Sequence, residues 1–204
     1  MAILEAVVGP RPMADGNTQV ARLGRQGDLI TSNLHGDYTE ATFRKSMFVA
    51  ATQAGQTTSA GLSTTYVGLV ISNPIGNTMN GIVYFVSAAF TVIAAVVNHA
   101  GLAHGYSATT NVTHTTPITP RSTLFGSNAT PTLLADSSAT LPAAPFYCGF
   151  LTDTPAATTN PGAAVAEVKG VFIVPPGGYF MTVTAAASSA AAFWAAIIWE
   201  EQPI

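Results

Sequence analysis

The side chains with the greatest chemical reach in this chain are four histidines, one cysteine and a handful of carboxylates. His35, His99, His104 and His114 form neither an HExxH pattern nor a Cys/His cluster, the spacings that set ligands around a zinc ion. His99 and His104 are five residues apart, which places them on opposite faces of a strand. With no carboxylate close to them in sequence, they read as exposed loop histidines and no metal site is assigned. Cys148 excludes an intramolecular disulfide. It sits in the apolar run Phe146-Tyr147-Cys148-Gly149-Phe150 and reads as a buried, inert thiol, because a catalytic thiol needs a nearby base. General acid–base work could draw on Asp136 with Asp153, or on Glu200 with Glu201. The first two lie in Ser/Thr/Pro-rich stretches typical of turn-capping aspartates, and the second two read as a solvated terminal pair. No GxSxG elbow, P-loop or GxGxxG fingerprint occurs, and Gly9, Gly16, Gly24 and Gly27 are too widely spaced to cradle a phosphate. The reading is therefore a non-enzyme with no catalytic, cofactor-binding or metal residue.

What must position any function is a chain whose charges are segregated. Only 8% of its 204 residues are charged, about a third of the ~25% usual in soluble domains. Residues 1–45 hold ten of the seventeen charges, from Glu5 to Lys45. From Ser46 through Pro120, 75 residues pass without an Asp, Glu, Lys or Arg. That step predicts an extended N-terminal arm, 1–45, and one body, 46–204. A body so poor in charge needs neighbours to cover it, in an oligomer, an assembly or a lipid phase. A net charge of -3 without basic clusters argues against nucleic acid. The N-terminus lacks the basic and apolar regions of a secretory signal, so maturation in a cytoplasm is expected. The Asn111-Val112-Thr113 and Asn128-Ala129-Thr130 sequons then carry no meaning.

The body reads as strands separated by turn formers. Met47–Ala51, Thr64–Ile71, Ile82–Val97, Tyr147–Leu151, Val168–Val174, Tyr179–Thr184 and Phe193–Trp199 are rich in β-branched and aromatic residues. Ser72–Asn77, the Thr/Pro/Ser stretch 115–145, Pro155–Gly162 and Pro175–Gly178 read as loops. The uncharged run Gly81–Val97 is short for a bilayer helix and lacks flanking Lys or Arg. It reads as a strand, or two strands bent around Ser87–Ala89, buried on both faces. A short helix over Ala185–Ala192 is an alternative to strand, with Phe193–Trp199 as the closing strand. Trp194 and Trp199 have opposite parity, so one is expected in the core and the other at an interface. The fold class is all-β, a jelly-roll-like sandwich.

Several segments resemble the structural proteins encoded in the virion modules of tailed bacteriophages. They are Gly24–Ile30, Leu34–Ala41, the loop Ser72–Asn80, the turn Pro175–Tyr179 and the ending Trp199–Ile204. The resemblance implies a jelly-roll-like domain, commonly a trimer, that decorates or cements a capsid or forms part of a tail or fibre. The expected partners are copies of the chain and the major capsid protein or another virion protein, with no nucleic acid, membrane or cofactor, and the expected location is the virion. The competing readings are a receptor- or carbohydrate-binding module displaying loops 107–145, and a small membrane protein built on Gly81–Val97.

Overall fold

A computed structural model describes residues 36–91, 97–154 and 162–204. By its contacts the chain divides into Met1–Glu40 and Ala41–Ile204. Most of the expected arm lies outside the described residues. Its described end is not extended chain: Thr39–Phe43 forms a one-turn helix, α1. The turn ends through Lys45 in the left-handed region, with Lys45 N–H donating to Thr42 C=O and Ser46 N–H to Ala41 C=O. This is the paired bonding that closes a helix when the chain reverses through a left-handed residue.

The rest is strand: β1 (Met47–Ala51), β2 (Gln56–Thr58), β3 (Thr65–Ser72), β4 (Met79–Phe90), β5 (Asn98–Tyr106) and β6 (Thr113–Ile118), then β7 (Arg121–Ser122), β8 (Leu134–Thr140), β9 (Phe146–Thr154), β10 (Ala163–Val174), β11 (Gly178–Thr184) and β12 (Ser188–Pro203). Sheet 1 runs β10-β4-β12-β1-β7, with β2 also on β12, and sheet 2 runs β6-β8-β3-β11-β5-β9. The pairings between these strands are antiparallel, so the all-β sandwich expected from the sequence is the fold. Between the sheets lies one core of Phe48, Leu69, Ile71, Val83, Val86, Phe90, Phe180, Phe193, Ile197 and Trp199, among others.

Of the seven strands named from sequence, Met47–Ala51 has the same ends, five others are present with shifted ends or within longer strands, and Ile82–Val97 corresponds to a strand that ends at Phe90. Four corrections follow. The stretch 115–145 is not all loop, because β6, β7 and β8 pair through it. The chain does not bend at Ser87–Ala89: β4 continues to Phe90, with its irregularity nearer Tyr84, opposite the step from Ile198 to Trp199. Only one side of β4 is fully buried, the other being half-exposed within the single chain. Ser188–Ala192 is strand rather than helix, drawn into a long pairing of β12 with β4 and β2. Residues 92–96 of the apolar run lie outside the described residues, and among those described no helix is long and apolar enough to cross a membrane.

Two turns join the sheets at one end, and both need glycine. Gly76 and Gly177 have φ of 85° and 83°, the third position of type II turns closed by Asn77 N–H on Pro74 C=O and Gly178 N–H on Pro175 C=O. Between these turns the buried Asn73 amide donates to Met79 C=O at 2.8 Å and Val174 C=O at 2.9 Å. One side chain thus ties the end of β3 to both crossing connections. The outer face of sheet 2 carries a second cluster, in which Tyr66, Tyr147 and Tyr179 lie over Gly68, Gly101 and Gly105. A methyl group at any of these glycines would overlap the ring above it.

Candidate functional site

The fold scatters most of the chemistry-bearing residues. His99 and His104 sit on β5, a strand rather than a loop, and meet aromatic rings: His99 meets Phe150 at 5.0 Å, and His104 meets Phe146 at 5.7 Å. His35 lies outside the described residues. Among those described, no three His, Cys, Asp or Glu side chains come together as a metal site. Cys148 is half-buried on β9, and burial pushes its thiol up, away from the reactive thiolate. Asp136 and Asp153 lie on β8 and β9, with β3, β11 and β5 between them. At ~4.8 Å per strand, that separation is about 19 Å, too far for shared acid–base work.

Asp136 is not a turn cap. Its side chain is 0% exposed, and its Oδ2 lies 2.5 Å from Nδ1 of His114 on β6, so His114 does have a carboxylate beside it. The other oxygen, Oδ1, is buried without a hydrogen-bond partner. Burial holds the Asp136 carboxyl above its ordinary range, and His114 pulls it partly back. A carboxylate–imidazole pair can orient and polarise a base. The pair joins the edge strand β6 to β8.

The terminal glutamates are not a solvated pair either. Glu201 is buried, accepting the N–H groups of Thr132 and Leu133 at 2.9 Å, the Thr132 hydroxyl at 2.8 Å and the Trp199 indole N–H at 3.3 Å. Glu200 accepts from the Ser46 and Tyr84 hydroxyls at 3.2 and 3.0 Å. Both act as structural clamps. Sequence reasoning missed them because all of their donors named here but the Trp199 indole lie about seventy to more than one hundred and fifty positions away.

The feature that resembles a working surface is the outer face of sheet 1. Its registers define rows of residues that share a face: Trp194–Ala89–Ala163, Ala51–Ala196–Ser87–Val165, Val49–Ile198–Phe85–Glu167 and Met47–Glu200–Ile82–Ile173. The intervening residues, Phe48, Ala50, Phe193, Ala195, Ile197 and Trp199, point into the core. Trp199 is fully buried, whereas Trp194 is 37% exposed on the outer rows, so opposite parity places one in the core and the other outside it. Val165 and Ile173 are 75% and 57% exposed at the β10 margin. An antiparallel sheet with one solvated side normally alternates apolar and polar residues. Here most members of both sides are apolar; the charged members of the outer rows among the described residues are Glu167, which has Lys169 at 3.8 Å, Glu200 and Arg121, which pairs with Val49.

Comparison with protein-family models, curated proteins and solved structures found no match.

Proposed function

We propose that this chain is a non-enzymatic structural subunit of a virion, a decoration or cement protein that stabilises a phage head as a symmetric oligomer. The observation that carries the reading is the apolar outer face of sheet 1. Its rows cover on the order of 500 Å² of sheet, taken from strand and residue spacings, within the range in which the largest apolar patch of a protein is often functional. The charge-free stretch Ser46–Pro120 supplies β1 and β4 of that face. A neighbour that covers this face would remove its apolar surface from water.

The strand order supports a jelly-roll form. Within the sheets, β1-β12-β4-β10 lies against β3-β11-β5-β9, and β6–β8 enter as an insertion between β5 and β9. Jelly rolls of two such four-stranded sheets recur in viral capsid and lectin domains. The charged segment 1–45 is the attachment arm in this reading, because it carries the polar groups that the body lacks.

The test is cosedimentation with phage particles, using the full chain and a chain lacking residues 1–40. The full chain should pellet with the particles, and the shortened one should stay folded and free. Equal binding by both would remove the arm from this role. Binding of the full chain to host glycans and not to particles would favour a tail or fibre module instead.

A further inference from the structure

We infer that residues 113–117 of β6 form a proton-controlled strap, clasped to sheet 2 by His114 and Asp136, that lifts locally when Asp136 loses its proton while both sheets stay closed. The device does not depend on what covers sheet 1. β6 contains no buried residue, and Pro117 gives it no N–H to bond with. Its register on β8 shifts on both sides of Thr116. The side-chain ties that join it to β8 are the Ser137 hydroxyl on Thr116 C=O at 3.3 Å and the His114–Asp136 contact at 2.5 Å. A strand with so few buried groups opens at a lower cost than the sheets around it. Its flanks are held. Val112 is buried in the cluster on the outer face of sheet 2, Asn111 accepts the Ile75 N–H at 2.8 Å, and Ile118 packs against the main core. The middle therefore lifts while both ends stay anchored.

The clasp works through its proton. Asp136 is the register partner of Val70, so its carboxyl lies on the outer face of sheet 2, 0% exposed and with Oδ1 unpartnered. A proton held between Oδ2 and Nδ1 keeps the pair neutral as a whole. Without that proton an anion stays buried with one oxygen facing no donor, and lifting the strap admits water to it. His114 is 31% exposed and lines a cavity of about 140 Å³ with Asn111, Val112 and Leu134, so its ring has room to swing away. Among the described residues, the elements packed against Asp136 bring no competing charge. Residues 107–113 and 137–145 contain no Asp, Glu, Lys, Arg or His, and Arg121 beyond the strap pairs into sheet 1. The cluster on the same face contributes Tyr66, Tyr147 and Tyr179, whose phenols are pushed up by burial.

Hydrogen exchange on the full chain, read as protection relative to the unfolded-chain rate at each pH, tests this. In wild type, protection of Thr113–Ile118 should fall at least tenfold from acid to neutral pH, while β4 and β12 keep theirs. Asp136→Asn keeps the size of the side chain and should hold the strap's protection constant across that range. His114→Ala, at a partly exposed position, should lower the strap's protection at least tenfold already at acid pH, and it decides the matter if Asp136→Asn does not fold. Wild-type protection that is flat with pH, that falls in step with β4 and β12, or that falls equally in Asp136→Asn overturns the inference. So does a strap as well protected in His114→Ala as in wild type at acid pH.

Discussion

Both carboxylate oxygens of Glu201 lie 2.9 Å from the backbone N–H of Thr132, joining the last strand of the chain to the loop that leads into β8. The same carboxylate takes the Leu133 N–H and the Trp199 indole, and Thr132 Oγ1 in turn accepts from Asn77, which donates also to Asn73. A single polar network therefore spans β12, the β3–β4 turn and the approach to β8 at one end of the sandwich.

Glu201→Ala leaves two backbone donors and an indole N–H unpaired in a buried place. Removing an acceptor from buried donors costs about 3 kcal/mol or more, and urea unfolding should show that loss with an unchanged slope. A loss below about 1 kcal/mol would mean that water replaces the carboxylate.

Asn73→Asp exchanges a donor for a carboxylate facing the carbonyls of Met79 and Val174. It should be more damaging than Asn73→Ala, by about 1 kcal/mol or more at neutral pH, because it adds repulsion to the lost bonds. Thermal unfolding of the two variants compares them directly.

The pH dependence of stability should carry the mark of Asp136. Its folded carboxyl titrates above its unfolded value, chiefly through burial, so the folded chain holds this proton at a pH where the unfolded chain releases it. The stabilisation is complete below the ordinary aspartate range and is lost as pH rises through the elevated value. Asp136→Asn removes the titration. Wild type should therefore lose stability relative to this variant as pH rises from acid toward neutral, and parallel urea midpoints across that range would show the assignment to be wrong.

Gly105→Ala should cost about 1–3 kcal/mol, because its methyl group would overlap the Tyr179 ring that lies opposite it in the β5–β11 register. Tyr179→Phe keeps the ring and loses only the bond from its hydroxyl to Ala143 C=O, an expected cost of about 1 kcal/mol. The order of the two midpoints tests whether the ring or the hydroxyl matters more.

Much of this architecture is legible locally. Phe193–Trp199 alternates with period two, and the structure sends Phe193, Ile197 and Trp199 inward and Trp194 outward. The Pro-Pro-Gly and Pro-Ile-Gly-Asn turns are written in residues that fix their own dihedrals. What is not legible depends on distant partners. β6 and β8 are made mostly of Thr, Ser, Ala, Pro and Asp, which local chemistry assigns to turns; β8 becomes a strand by pairing with β3, and β6 by pairing with β8. Burial of Asp136 and Glu201 follows from the same long-range pairing, so a carboxylate that looks solvated in sequence ends inside. The rows on the outer face of sheet 1 are equally invisible from one strand, since each row collects residues from three or four strands far apart in the chain.

The most direct measurement is the solution mass of the full chain by light scattering, from dilute to concentrated. The account predicts a symmetric oligomer at a multiple of the 20.9 kDa chain mass. A single 20.9 kDa species throughout, with Trp194 as solvent-exposed at the highest concentration as at the lowest, would contradict it.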